Sequence, residues 1–104
     1  MSTTERAGLL SQLWDEHLRA EFPGCLRGRV IEGEDLVLLD AMTAGCVSSS
    51  LHGALDKERQ GILLQCVTAL EKVLQSIGDE YGNRYFARLY AMAVQAADCG
   101  EGRG

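Results

Sequence analysis

The stretch LVLLDAMTAGCVSSSLHG, residues 36–53, decides the fold. Its first four residues suit a buried strand or the start of a buried helix, because a short apolar run carries no period of its own. Length arbitrates. Leu36, Leu39, Thr43, Cys46, Val47 and Ser50 recur at three and four residues, over a span well beyond the usual strand of about five or six residues. The pattern predicts a helix from just after Gly33 to about Leu51. Gly45 and the three serines are its weak point as one continuous helix, since both residue types lower helix propensity. Val37, Ala41, Ala44 and Leu51 form a second apolar stripe, which leaves little of the helix to face solvent. Such a helix is expected at the centre of a bundle.

The same stretch raises a chemical question. A Cys46 nucleophile needs a base or a positive field to form its thiolate, and His52 is the local base. Six residues apart on one helix, the two lie on different faces and more than a turn apart. The packing reading is preferred. Gly45, Ala41, Ala44 and Ser48 have little bulk, so a neighbouring helix approaches closely, and the serine hydroxyls bond back to the preceding turn. On this reading Gly45→Leu overpacks the contact at a cost of about 1–3 kcal/mol.

Outward from this helix the chain is also helical. Upstream, Leu9, Leu10, Leu13, Trp14, His17 and Leu18 repeat at helical spacing and predict a helix over about residues 4–21. Ser2, Thr3 or Thr4 caps it, and Phe22-Pro23-Gly24 ends it. Residues 25–34 set Leu26, Val30 and Ile31 among Gly24, Gly28 and Gly33, a loop with one short extended piece or a single turn. Downstream, Asp56 is a good N-cap. Ile62, Leu63, Cys66, Val67, Leu70, Val73, Leu74 and Ile77 then form one amphipathic face, and Gly78 suits its end. A fourth helix, about residues 79–98, has Tyr85, Phe86, Leu89, Ala93 and Ala96 as its inner face. The short link makes helices three and four antiparallel neighbours. The fold class is all-α: a small single-domain bundle of four helices over residues 1–99, an irregular segment between helices 1 and 2, and a flexible Gly-rich tail at 100–104.

Charge narrows the function. The 104 residues carry a net charge of -5. Nucleic acid and anionic membranes are disfavoured partners, because affinity for both rests on Lys and Arg. The one basic cluster, Arg27-Gly28-Arg29, is followed at once by Glu32, Glu34 and Asp35. No signal peptide is recognisable and no apolar run reaches the ~20 residues of a membrane span, so a cytoplasmic location is expected. Cys25, Cys46, Cys66 and Cys99 lack CxxC spacing and are expected as free thiols. Asp15, Glu16 and His17 are consecutive and point apart, so they do not chelate one ion. His17 is expected partly buried beside Trp14. No GxSxG elbow or P-loop is present. No catalytic residue, metal ligand or cofactor is expected.

Two candidate sites remain. Tyr81, Tyr85, Arg88 and Met92 share one edge of helix four, and aromatics, Met and Arg are enriched at protein contacts. They predict a self-association or protein-interaction surface, with a homodimer as the simplest form. The alternative is a small-anion site in which Arg84, Arg88 and a tyrosine hydroxyl lie near Asp40. The bland version of that cluster is an Asp40–Arg pair inside the bundle.

The runs Leu13-Trp14-Asp15-Glu16-His17, Phe22-Pro23, Leu26-Arg27-Gly28, Asp35-Leu36-Val37-Leu38-Leu39-Asp40, Ala44-Gly45-Cys46-Val47-Ser48 and Tyr85-Phe86-Ala87-Arg88-Leu89 resemble a group of short actinobacterial-type proteins of unknown function. The likeness spans about residues 9 to 97. It implies a stand-alone domain and brings no activity and no functional residue.

Overall fold

A computed structural model describes the backbone of residues 3–101 and the side-chain surroundings of residues 8–98. Four helices, α1 (Thr3–Arg19), α2 (Leu36–His52), α3 (Lys57–Leu74) and α4 (Glu80–Glu101), form an all-α bundle. The opening stretch is one continuous helix of 17 residues. Its N-terminus is fixed by Asp35, whose Oδ1 accepts the Leu38 N–H at 3.1 Å. Such a cap satisfies a backbone donor that the helix leaves without an internal partner. Asp56 does the same for α3, accepting from Arg59 N at 2.8 Å. Asp79 does so for α4, accepting from Gly82 N at 2.7 Å. The expected tail at 100–104 begins inside α4, which continues to Glu101; residues 102–104 lie outside the described part, as does Ser2.

The irregular segment has more order than a loop. Gly24–Leu26 is one 3₁₀ turn. Val30–Ile31 (β1) and Glu34–Asp35 (β2) then pair antiparallel, Val30 opposite Asp35 and Ile31 opposite Glu34. Glu32 (φ 53°) and Gly33 (φ 78°) make the two-residue turn. Positive φ at both central positions is the type I′ geometry, whose twist matches that of a two-stranded ribbon.

Helices α2 and α4 each pack against the other three helices, and α4 makes the more extensive contacts of the two. Tyr85, Phe86, Leu89, Met92, Ala93, Ala96 and Ala97 are all buried along it. This places a wide arc of α4 inside. The buried stripe predicted for α2 is correct, with Leu36, Leu39, Thr43, Cys46 and Val47 in the interior. Its second apolar stripe is only in part a core stripe: Ala44 and Leu51 are half-buried, Leu51 against the core, and Ala41 is exposed. Val37 is 40% exposed, and Leu38 and Met42 on the same side are 57% and 42% exposed. Leu18, expected on the inner face of α1, also faces solvent.

The close helix approach expected at Gly45 is absent among the described residues. Gly45 is exposed, and a Cβ built there meets no atom within 4 Å. The tight glycine is Gly82 in the first turn of α4. A Cβ there falls 2.7 Å from Leu26 Cδ1 and 3.1 Å from Asp79 Oδ2. Leu26 is buried by this contact, which pins the 3₁₀ turn onto α4. Asn83 next to it donates its Nδ2 to the carbonyls of Leu74 (3.2 Å) and Ile77 (3.3 Å), closing the end of α3.

Gly82→Ala should therefore destabilise the protein by about 1–3 kcal/mol through overpacking. Gly61→Ala, in α3 with open space at its Cβ, should raise stability by up to about 1 kcal/mol through helix propensity. Urea midpoints of the two variants against wild type check both signs.

Candidate functional site

Asp40 interrupts the apolar sequence of α2, and the structure shows why it is tolerated. Its Oδ1 lies 3.0 Å from His17 Nε2 on α1, and its Oδ2 accepts the Tyr85 hydroxyl of α4 at 2.7 Å. Tyr85 OH and His17 Nε2 are 3.4 Å apart, which closes a triangle between three helices. A carboxylate has no proton to give, so the His17 hydrogen that faces it sits on Nε2. Nδ1 of the same ring is buried and has no partner. His17 and Tyr85 are buried, and Asp40 is 16% exposed. Trp14 stacks beside the imidazole, with ring centroids 6.2 Å apart. Phe22 and Phe86 pack on Tyr85 at 5.6 and 5.3 Å.

Burial, and then the Asp40 carboxylate, push the Tyr85 phenol well above its ordinary value near 10. A hydroxyl held protonated in this way is a hydrogen-bond donor and not a nucleophile near neutral pH. The triangle acts as a fastening of α1, α2 and α4.

This geometry places the residues of both sequence candidates. Asp40 takes no arginine: among the described residues its partners are His17 and Tyr85, and the one other ion pair is Lys72–Glu34 at 3.9 Å. Arg88 lies with its guanidinium 5.6 Å over the Tyr85 ring, while Arg84 is exposed. Neither arginine lines the three grooves described below. The strip Tyr81, Tyr85, Arg88, Met92 is not an open surface either. Tyr85 and Met92 are core residues, Arg88 is half-buried, and Tyr81 donates its hydroxyl to the Glu21 carbonyl at 2.6 Å. The wide buried arc of α4 takes in Tyr85 and Met92, while Tyr81 is 43% exposed at the start of the edge.

The thiol singled out in the sequence, Cys46, has no base beside it among the described residues. Cys25, Cys46 and Cys66 are free, and the side chain of Cys99 lies outside the described residues. Burial, then the neighbouring Cys66, push the Cys46 thiol up from its ordinary value, and its Sγ contacts the Arg59 carbonyl at 3.8 Å. His52 is turned elsewhere, donating Nδ1–H to the Ser48 carbonyl at 2.8 Å. No three His, Cys, Asp or Glu side chains among the described residues converge on one metal position.

What α2 does present is an apolar outer face. Val37, Leu38, Ala41, Met42 and Gly45 are exposed at three- and four-residue spacing, a single stripe on the side away from the core. Leu38 and Met42 also line a groove of about 150 Å³ against Cys66 and Ala69 of α3. An adjoining groove of about 330 Å³ brings in Leu64, 41% exposed, and Lys72. At the C-terminal end of the stripe, Arg59 Nη1 donates to Ser49 Oγ at 3.0 Å. Ser48, His52, Asp56 and Arg59 there line an open crevice of about 400 Å³. The stripe was missed in the sequence because each of its residues also suits a core.

No family model, curated protein or solved structure matches this chain. No described helix is long and apolar enough to cross a membrane.

Tyr85→Phe should lower stability by about 1.5–3 kcal/mol, the scale of a hydrogen bond to a charged group. The pH dependence has a definite sign. Above its ordinary value near 10 a tyrosine ionises in the unfolded chain, while folded Tyr85 keeps its proton. The folded state then binds more protons, so stability falls as pH rises through that window. Urea midpoints measured from neutral to alkaline pH should decline in wild type and decline less in Tyr85→Phe.

Proposed function

We propose that this protein is a non-enzymatic self-association module that pairs with a second copy of itself through the outer face of α2. The observation that carries the reading is the exposed stripe Val37, Leu38, Ala41, Met42. Single exposed apolar residues are ordinary, but a contiguous apolar face on one rigid helix marks an interaction surface. Polar groups rim it: Glu34 and Asp35 at one end, Ser48, Ser49 and Arg59 at the other. An apolar centre with a polar rim is the usual anatomy of a protein contact. The buried His17–Asp40–Tyr85 triangle supports the same reading, since it fixes the orientation of α2 and presents its outer face pre-formed. A small-anion function at Asp40, Arg84 and Arg88 is not carried forward, because both Asp40 oxygens are already engaged.

In a two-fold dimer each substitution acts on both copies. Burying a leucine side chain contributes about 1.5–3 kcal/mol, and each 1.4 kcal/mol is about tenfold in affinity. Leu38→Glu combined with Met42→Glu should convert dimer to monomer in sedimentation velocity. Both side chains are exposed, so the helical circular-dichroism signal should stay unchanged. A wild-type protein that sediments as a monomer throughout a concentration series overturns the reading, as does a double variant that associates like wild type.

A further inference from the structure

We infer that the two copies cross antiparallel on α2, with the acidic β2 end of one seated against the Arg59–His52 crevice of the other; this rests on the α2 self-association reading above.

The argument starts from the charges at the two ends of the stripe. Glu34 and Asp35 lie just before α2; Glu34 has Lys72 at 3.9 Å, a long pair at the surface, and Asp35 gives one oxygen to the α2 cap. At the other end Arg59 reaches from α3 onto the stripe through Ser49 Oγ. A guanidinium has five N–H donors, and this contact uses one. His52 beside it is committed to its own helix, its Nδ1–H on the Ser48 carbonyl. Asp56, the acidic group of the crevice, has one oxygen committed to the α3 cap. A parallel pairing about an axis along the helices would set Glu34 and Asp35 against their own copies, and like charges across a contact are unfavourable. An antiparallel pairing sets them against Arg59, whose guanidinium is charged and donates only.

Side-chain bulk gives the same register. Ala41 and Gly45 are the smallest residues of the stripe, both exposed, and the Gly45 Cβ position is open. Two helices come closest where they cross, so the crossing belongs there. With Ala41 of one copy opposite Gly45 of the other, two-fold symmetry sets Leu38 opposite Ser48 and Glu34 opposite His52. The leucine then covers the small residues near Arg59, and the Glu34 carboxylate arrives at the crevice. The open space at Gly45 is filled by the partner helix, and the charged ends fix direction and register.

A charge-swap cycle tests this by sedimentation equilibrium. Glu34→Arg and Arg59→Glu should each raise the dimer dissociation constant by roughly tenfold or more, the scale of a lost interfacial charge pair. The double variant carries the swapped pair in every copy and should return close to wild type. Circular dichroism and melting midpoints verify that each variant is folded. If Arg59→Glu unfolds the protein, Arg59→Gln takes its place and should still weaken the dimer, with Glu34→Gln no worse in its background than alone. Singles that associate like wild type, while Leu38→Glu with Met42→Glu dissociates the dimer, overturn the orientation and leave the α2 face in use. A double variant no tighter than the weaker single overturns it too. A monomeric wild type removes the orientation together with the reading beneath it.

Discussion

One carboxylate holds three helices in register. Asp40 has two oxygens, and each takes a donor from a different helix, His17 of α1 and Tyr85 of α4. Apolar contacts alone tolerate sliding, because one leucine serves a helix seam nearly as well as the next. A carboxylate with two required donors does not. The desolvation cost of placing Asp40 at 16% exposure is offset in a single alignment of α1, α2 and α4. Other features follow from that alignment: Trp14 against the imidazole, Phe22 at the edge of the Tyr85 ring, and the Arg88 guanidinium over its face. Losing any one of the three groups leaves the others partly desolvated without partners, which costs more than the hydrogen bond itself.

Much of the helical layout is legible in the residue pattern. The buried stripe of α2, the amphipathic face of α3, the Asp56 cap and the inner face of α4 follow from spacing and capping chemistry. The triangle does not, because its members are 23 and 45 residues apart and meet only once the packing order is known. The outer side of α2 was misread for a physical reason. Apolar content on two sides of α2 looks the same whether the second side meets another part of the chain or open solvent. Tyr85 and Met92 were ambiguous for the converse reason: aromatics and methionine suit a core and an interface equally, and the wide buried arc of α4 decides between them. The hairpin at Val30–Asp35 was below the reach of periodicity, since two-residue strands show none. Its turn, Glu32-Gly33, also lacks the Asn or Asp that usually announces type I′ geometry. Nothing in the sequence separates Gly82, which touches Leu26, from Gly45, which touches nothing.

The interaction face and the fastening share a helix. Asp40 sits on the flank of α2 between the core stripe and the outer stripe, one residue from Ala41 and two from Leu38 and Met42. A contact surface on a helix free to roll would spread its side chains over many orientations, and binding would have to oppose that freedom. Tying the flank of α2 to α1 and α4 removes most of it. The polar residue that breaks the apolar pattern is thus the one that gives the apolar face a fixed direction.

The attachment of α1 has a consequence for how the protein breathes. Among the described residues α1 buries Leu10 and His17 fully and Leu13 and Trp14 in part, while α2, α3 and α4 share most of the core. Helices α3 and α4 are consecutive and joined by a short link, whereas α1 reaches α4 across more than half the chain. Of the four helices, α1 is the one whose attachment to α4 is carried by the polar triangle as well as by Leu10, Leu13 and Trp14, and elements with few buried apolar contacts open at lower free energy than the core. Because His17 meets both Asp40 and Tyr85, α1 seats fully only where α2 and α4 are already in register with each other.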